Sequence, residues 1–305
     1  MERRELLQKI SSFHLASKDL AEDLLSGEFA SVFRGRGMEF DAVRQYEAGD
    51  DIRSIDRNVS ARFGRPFVKL YREERELTAF IVLDCSVSMR SGGNFPGRGK
   101  SVLTRYEQGV LAAALIALSA ERTGQLVGAL FFDRDIARVY SPRKGKSHAL
   151  AVISAALELE NPERGSGLGA ALSGARRLLK RRSLVAVISD FLCVDWERKL
   201  GDLSARHDVI ALRISDPLDN EMPRLGLAAL EDGETAYGFH ALTSSMSFRG
   251  AWSEWHEDRA RLWQSVCRRA GASMLELSTA ADAPGVLAHF FRGKMRRNCR
   301  FRKRR

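Results

Sequence analysis

The chain is poor in the side chains that build disulfide frameworks, zinc sites and common hydrolase centres. Its four cysteines, Cys85, Cys193, Cys267 and Cys299, are scattered through 305 residues without a Cys-x-x-Cys spacing. That argues against structural zinc and disulfides and leaves reduced thiols as the expected state. The six histidines cluster nowhere. Neither Gly-x-Ser-x-Gly nor His-Glu-x-x-His occurs, and Trp255-His256-Glu257-Asp258 reads as a charged helix face. No apolar run approaches the roughly 18 residues that span a bilayer, the longest lying near Gly109 to Ala120. The opening MERRELLQKISSF lacks the continuous apolar core of a signal peptide. A soluble, cytoplasmic protein without a transmembrane segment is the expectation.

Acid is missing from one place above all. The last fourteen residues, RGKMRRNCRFRKRR from Arg292 to Arg305, hold nine Arg or Lys and no Asp or Glu, so of the formal net charge of +10 only +1 belongs to the rest. The high pI therefore describes a tail, which suits nucleic acid, an anionic membrane or an acidic partner equally. An apolar content of 44% is enough for a proper core.

From about Thr78 onward, strand-like and helix-like segments alternate. Thr78 to Asp84 is a β-prone apolar run. A Gly-rich loop over Ser91 to Lys100 leads into a helix near Tyr106 to Arg122. Gln125 to Asp133 predicts a second strand, with Asp135 to Tyr140 as its edge neighbour across a tight charged turn. Helices near Ser147 to Glu160 and Gly167 to Arg182 precede a buried strand over Ser183 to Phe191. Helix Asp195 to Arg206, strand Asp208 to Ser215, helix Arg249 to Ala270, strand Ala272 to Leu277 and helix Pro284 to Arg296 complete the series. The alternation predicts an α/β fold, a mostly parallel sheet with helices on both faces. Asp232-Gly233, between short β-compatible runs, predicts a hairpin inserted near 227–241. Three regions follow: a helix (Arg3 to Leu25) and charged arm over 1–75, the α/β domain over 76–297, and the end of the basic tail over 298–305. The arm is dense in alternating charge, with Glu39, Asp41, Glu47, Asp50, Asp51 and Asp56 among Arg44, Arg53, Arg57 and Arg62. A salt-bridged surface packed on the domain is expected there.

The first strand ends in Asp84-Cys85-Ser86-Val87-Ser88. One carboxylate and two hydroxyls thus fall at the carboxyl edge of a buried strand, where open parallel sheets bind ligands. Mg²⁺ takes oxygen ligands and keeps several waters, so this is half of a metal site, for Mg²⁺ or else Mn²⁺ or Ca²⁺. Asp190 closes its own buried strand in the same way, and Ser166, ahead of a helix, offers a third hydroxyl or an ordinary N-cap. Gly93 to Ser101 (GNFPGRGKS) imitates a phosphate-binding loop, but its spacing is one residue too long and it begins well past its strand.

Asp-x-Ser-x-Ser with Ser166 and Asp190 resembles the metal-ion-dependent adhesion site of a von Willebrand factor A-like domain. The resemblance implies that the two serines and a later threonine-type hydroxyl bind Mg²⁺, that a strand-end aspartate completes the shell, and that a partner's carboxylate takes the open position. Ser166 stands where threonine is usual, and Gly167 where an aspartate is often found. A narrower resemblance covers nearly the whole chain. FRGRGMEF, VRQYEAGDDIRSID, SAR and VKLYREERE before the strand, with SDPLDNEMP and LEDGET after it, resemble the bacterial family called domain of unknown function fifty-eight, from which Arg57 departs where Trp is usual. Members are typically found beside MoxR-type AAA+ ATPases, which implies an adaptor role.

The resulting expectation is a non-enzymatic protein-binding module with a metal site at Asp84, Ser86, Ser88, Ser166 and Asp190 and a MoxR-type AAA+ ATPase as partner. A metal-dependent phosphoester hydrolase, and nucleic-acid binding through residues 292–305, are the alternatives.

Overall fold

The computed structural model describes residues 39–47, 50–51, 54–72, 77–93, 103–159, 163–235 and 237–291. The expected N-terminal helix, most of the phosphate-loop imitation and the basic tail lie outside them.

The charged arm contains structure that its composition hides. Strand β1 (Glu39–Gln45) is followed by helix α1 (Arg57–Phe63) and by β2 (Phe67–Arg72), which pairs antiparallel with β1. Asp56 caps α1, accepting from the amides of Asn58 and Val59, and Gly64 ends the helix at φ 65°. The expected ion pairing is present in the fork from Arg44 to Asp50, at 2.6 and 2.8 Å. It lowers the Asp50 carboxyl and raises Arg44 through that hydrogen-bonded contact, but its exposure limits its stabilising effect.

The sheet begins with β3 (Thr78–Asp84). A 3₁₀ turn (Ser88–Arg90) and the long α2 (Arg105–Arg122) then lead to β4 (Leu126–Phe132) and β5 (Ile136–Arg143). Helices α3 (Lys146–Glu158) and α4 (Leu168–Leu178) precede β6 (Leu184–Ser189), α5 (Glu197–Ser204), β7 (Asp208–Ser215) and the short α6 (Pro217–Asn220). Strands β8 (Leu227–Glu231) and β9 (Gly238–Leu242) make the inserted hairpin, and α7 (Met246–Ala270), β10 (Ser273–Ser278) and a helix over 283–291, α8, follow. Six strands pair in the order β10-β7-β6-β3-β4-β5, all parallel except the edge strand β5. Among the described residues no helix is long and apolar enough to cross a membrane.

The central strands are buried on both faces, and for that reason they read as continuous apolar runs. Along β3, Ile81 and Leu83 face the core under α2, α3 and α8, while Phe80 and Val82 face the one under α4, α5 and α7. Helix α2 is buried along almost its whole length, which accounts for the weak amphipathic signal of its sequence. It starts in a capping box: the Glu107 amide donates to Thr104 Oγ1 (3.1 Å), and the Thr104 amide donates to Glu107 Oε2 (2.8 Å). Thr104→Ala is expected to destabilise the protein by about 1 kcal/mol, read as a lower urea midpoint with an unchanged slope.

Several element ends shift by a few residues from expectation, and one short element is added. Helix α7 starts at Met246 rather than Arg249, because Ser245 caps it from Oγ. The short α6, capped by Asp216 with Pro217 in its first turn, falls in a stretch read only for its family resemblance.

Candidate functional site

The chain leaves β3 toward β4 on one side, while β6 continues to β7 on the other. The carboxyl ends of β3 and β6 therefore flank the switch point where parallel sheets open a crevice. Their register pairs Leu83 with Ile188, which sets Asp84 beside Ser189. Ser189 Oγ donates to Asp84 Oδ2 at 2.6 Å, and the Ser86 amide closes a tight turn on Asp84 Oδ1 at 3.0 Å. Ser86 and Ser88 bring their hydroxyls within 3.2 Å of each other.

Asp84 and Ser86 have no solvent exposure. Burial first, then the charge of Asp190, push the Asp84 carboxyl from 3.8 up to about 7, while Ser189 and Ser86 pull the other way. Asp190 is oriented by an unusual piece of backbone. Phe191, directly after it, sits at φ 56°, a left-handed conformation that costs a non-glycine residue about 1–2 kcal/mol. Its amide donates to Ser189 Oγ (3.1 Å), and its ring lies 5.0 Å from Trp196 and 6.2 Å from Trp263. Strain held in place by surrounding packing tends to cluster at functional sites. Asp190 Oδ1 takes the Leu192 amide at 3.1 Å. Asp190 Oδ2 is buried without a hydrogen bond among the described residues.

Ser166 Oγ is likewise out of solvent and lacks a conventional hydrogen-bond partner among the described residues. Its neighbour is Cys193, whose thiol burial pushes up to about 12 while the Ser166 hydroxyl opposes the rise and the charges of Asp84 and Asp190 add to it. Ser166 belongs to a loop bound to the β4–β5 turn: the Gly167 amide donates to Asp133 O at 2.6 Å, and the Glu163 amide to Asp133 Oδ2 at 3.1 Å. A Cβ on Gly167 would sit 2.3 Å from Arg134 O. This loop therefore excludes the aspartate that the adhesion-site pattern often carries there.

Sequence reasoning missed three further groups. Arg105, nearly buried, donates to Ser91 Oγ (2.7 Å) and Ser88 O (3.4 Å), pairs closely with Asp219, and lies 3.9 Å from Asp190 Oδ2. Ser189 orients Asp84. Glu234, in the β8–β9 turn, takes the Ser88 amide on Oε1 at 3.4 Å, and its Oε2 is out of solvent. Burial raises the Glu234 carboxyl, hydrogen bonds from Ser88 oppose this, and the charge of Asp190 adds to it. The Asp232-Gly233 signal located the turn, but nothing local in the sequence says that Glu234 meets Ser88.

Among the described residues no three His, Cys, Asp or Glu side chains group so as to hold a metal ion by themselves, so any cation here would depend on the serine hydroxyls as well. The oxygens gathered here come from hydroxyls and carboxylates, a donor set for a hard cation. Among the described residues the buried Asp190 Oδ2 lacks a hydrogen bond and the buried Ser166 Oγ meets only the Cys193 thiol, and such under-satisfied oxygens call for a counterpart. On that chemistry the residues fit Mg²⁺.

A six-stranded, mostly parallel sheet carrying Asp-x-Ser-x-Ser at its switch point makes this a mixed α/β protein, the architecture that the von Willebrand factor A resemblance implied. The chain belongs to the family described as "Protein of unknown function DUF58", whose model matches residues 42–261. The uncharacterized protein Rv1480 of Mycobacterium tuberculosis is 30% identical over 234 residues, 76% of this chain and 72% of that one. The uncharacterized protein MAV169 of Mycobacterium avium is 33% identical over 133 residues, 42% of this chain and 76% of that one. Among solved structures, BatB from Bacteroides thetaiotaomicron overlaps at a TM-score of 0.47 and 14% identity, covering 72% of this chain and 99% of that one. An aerotolerance-related membrane protein from Bacteroides fragilis gives 0.47 and 15%, covering 72% and 100%.

Proposed function

We propose that the protein is a non-enzymatic interaction module that binds an acidic group of a protein partner through a Mg²⁺-type site built from Asp84, Ser86, Ser88, Ser166 and Asp190. The observation that carries this reading is Asp190 Oδ2, buried without a hydrogen bond among the described residues at the same sheet edge as Asp84, Ser86, Ser88 and Ser166. The serine hydroxyls would donate neutral oxygens. Asp84, fixed by Ser189 and Ser86, and Asp190, fixed by Leu192, would supply the charge. A bound cation ringed largely by neutral hydroxyls stays electrophilic enough to accept a further carboxylate.

The partner proposed is a MoxR-type AAA+ ATPase, on the strength of the family resemblance. The test is to isolate the tagged protein from its native cell in Mg²⁺ and elute with a chelator. An AAA+ ATPase is expected in the eluate from the wild type and not from Asp84→Ala. Chelator-insensitive retention, or equal recovery with Asp84→Ala, would reject the metal-gated reading.

A further inference from the structure

The inserted hairpin puts an acidic side chain of the chain itself against the metal-site loop. Glu234 lies 146 positions beyond Ser88 in sequence, yet it takes the Ser88 amide on Oε1. The approach is close at the backbone too: a Cβ on Gly233 would lie 3.2 Å from the Ser88 nitrogen and 3.1 Å from Val87 Cγ1. Glycine at 233 is what lets the turn settle on the Asp-x-Ser-x-Ser loop. The turn is built before it arrives there. Asp232 Oδ1 accepts the Glu234 amide (3.0 Å), Thr235 Oγ1 donates to Asp232 Oδ2 (2.6 Å), and the Asp232 amide donates to Tyr237 O (2.9 Å). A second contact, Arg164 to Glu231 at 2.8 Å, links the hairpin to the loop that carries Ser166.

Among the described residues the only cation paired with the carboxylates of this arrangement is Arg105, and it is shared. Asp190 Oδ2 is buried without a hydrogen bond among the described residues and Asp190 is itself only 3% exposed, while the Glu234 carboxylate, with Oε2 out of solvent, is held by Ser88 and the Gly165 backbone. Carboxylates brought together out of water repel and lose hydration unless a positive charge lies among them. Arg105 approaches Asp190 only to 3.9 Å and is already engaged with Asp219 and Ser91. The hairpin's hold is also slight. It forms its own two-stranded sheet, apart from the main one, and along its two strands only Ala241 is buried. An element with so little buried surface opens at small free-energy cost.

We infer that Glu234 is the chain's own acidic ligand for this site, presented by the hairpin to the cation in the position a partner's carboxylate would take. The inference rests on the metal-site reading proposed above. An acidic partner then binds by displacing the hairpin tip, and the hairpin selects for partners able to do so.

The experiment titrates Mn²⁺ into the full-length protein, reading affinity by electron paramagnetic resonance and bound water by proton relaxation. It compares wild type, Glu234→Gln and Asp84→Ala. Glutamine keeps the shape of the side chain and leaves the turn bonds of Asp232 and Thr235 intact. Glu234→Gln is expected to weaken Mn²⁺ binding about tenfold, to add water to the bound ion, and to let added glutarate displace that water more readily than in wild type. Unchanged affinity and hydration in Glu234→Gln, with Asp84→Ala impaired, would overturn the role of Glu234 and leave the metal site standing. Absence of Mn²⁺ binding by wild type, or binding indifferent to Asp84→Ala, would overturn the metal reading and this inference with it.

Discussion

Arg105→Met is expected to destabilise the protein by about 3–5 kcal/mol, the range for removing one partner of a buried ion pair. Arg105 and Asp219 are 6% and 4% exposed, so neither is relieved by solvent when the other is lost. The guanidinium is shared: it pairs with Asp219, donates to Ser91 Oγ at 2.7 Å and faces Asp190 Oδ2 at 3.9 Å. Methionine fills similar volume but leaves Asp219 without the guanidinium's charge. His256 Nδ1 also lies 3.7 Å from Asp219 Oδ1; burial lowers the pKa of its ring, Asp219 opposes this and the charge of Arg105 adds to it. Adding Asp219→Asn to Arg105→Met should recover a large part of the loss, a coupling that a double-mutant cycle in urea reads directly. A loss under about 1 kcal/mol, the scale of an exposed pair, would show that the pair is screened as a surface bridge is. The expected loss extends to the site, since Arg105 also holds the Ser88 carbonyl at 3.4 Å and so fixes the 3₁₀ turn that presents Ser88.

Local chemistry was legible in the sequence, and long-range meetings were not. Strands β3, β6 and β7 announced themselves because burial on both faces requires unbroken apolar runs, and Asp84 and Asp190 stood out as acids ending such runs. The parallel register that places Asp84 beside Ser189 follows from the alternation of strands and helices, but Ser189 itself looked like one more strand residue. The β1–β2 pair escaped notice because its strands lie among charges, where no apolar alternation marks them. Glu234 was visible only as part of LEDGET. Its role depends on where a hairpin, unpaired with the main sheet, comes to rest, and no periodicity encodes that. Arg105 sits in the first turn of a helix whose apolar character drew the eye away from the one cation it buries. The departure at Gly167 acquired a physical reason only when Arg134 O was found where its Cβ would be.

Asp84→Asn is expected to stabilise the metal-free protein at pH 8 and, under the proposed metal site, to remove any stabilisation by Mg²⁺. Asp84 is fully buried, and burial together with Asp190 pushes its carboxyl from 3.8 to about 7. Between those values the folded state keeps a proton that the unfolded state has lost. The stabilisation from this group is therefore full below about pH 4 and is lost as pH rises through about 7. A displacement of that size is a roughly thousandfold bias, on the order of 4 kcal/mol, with part of it shared with Asp190 through their mutual repulsion. Asparagine has no charge to lose, retains an oxygen for the Ser86 amide and turns an amide toward Ser189. Urea unfolding across pH 5 to 8 in a chelator should show wild-type stability falling with pH while the variant stays nearly flat. Mg²⁺ should restore the wild type at pH 8, because ligand binding to the folded state alone raises stability by mass action, and should leave Asp84→Asn unmoved. Parallel pH curves for the two proteins would mean that Asp84 is solvated or compensated by a group other than a cation. Divergent curves that Mg²⁺ brings together would identify the cation as what this carboxylate lacks, since a protein that is more stable without a buried charge has reason to keep it only at a site that uses it.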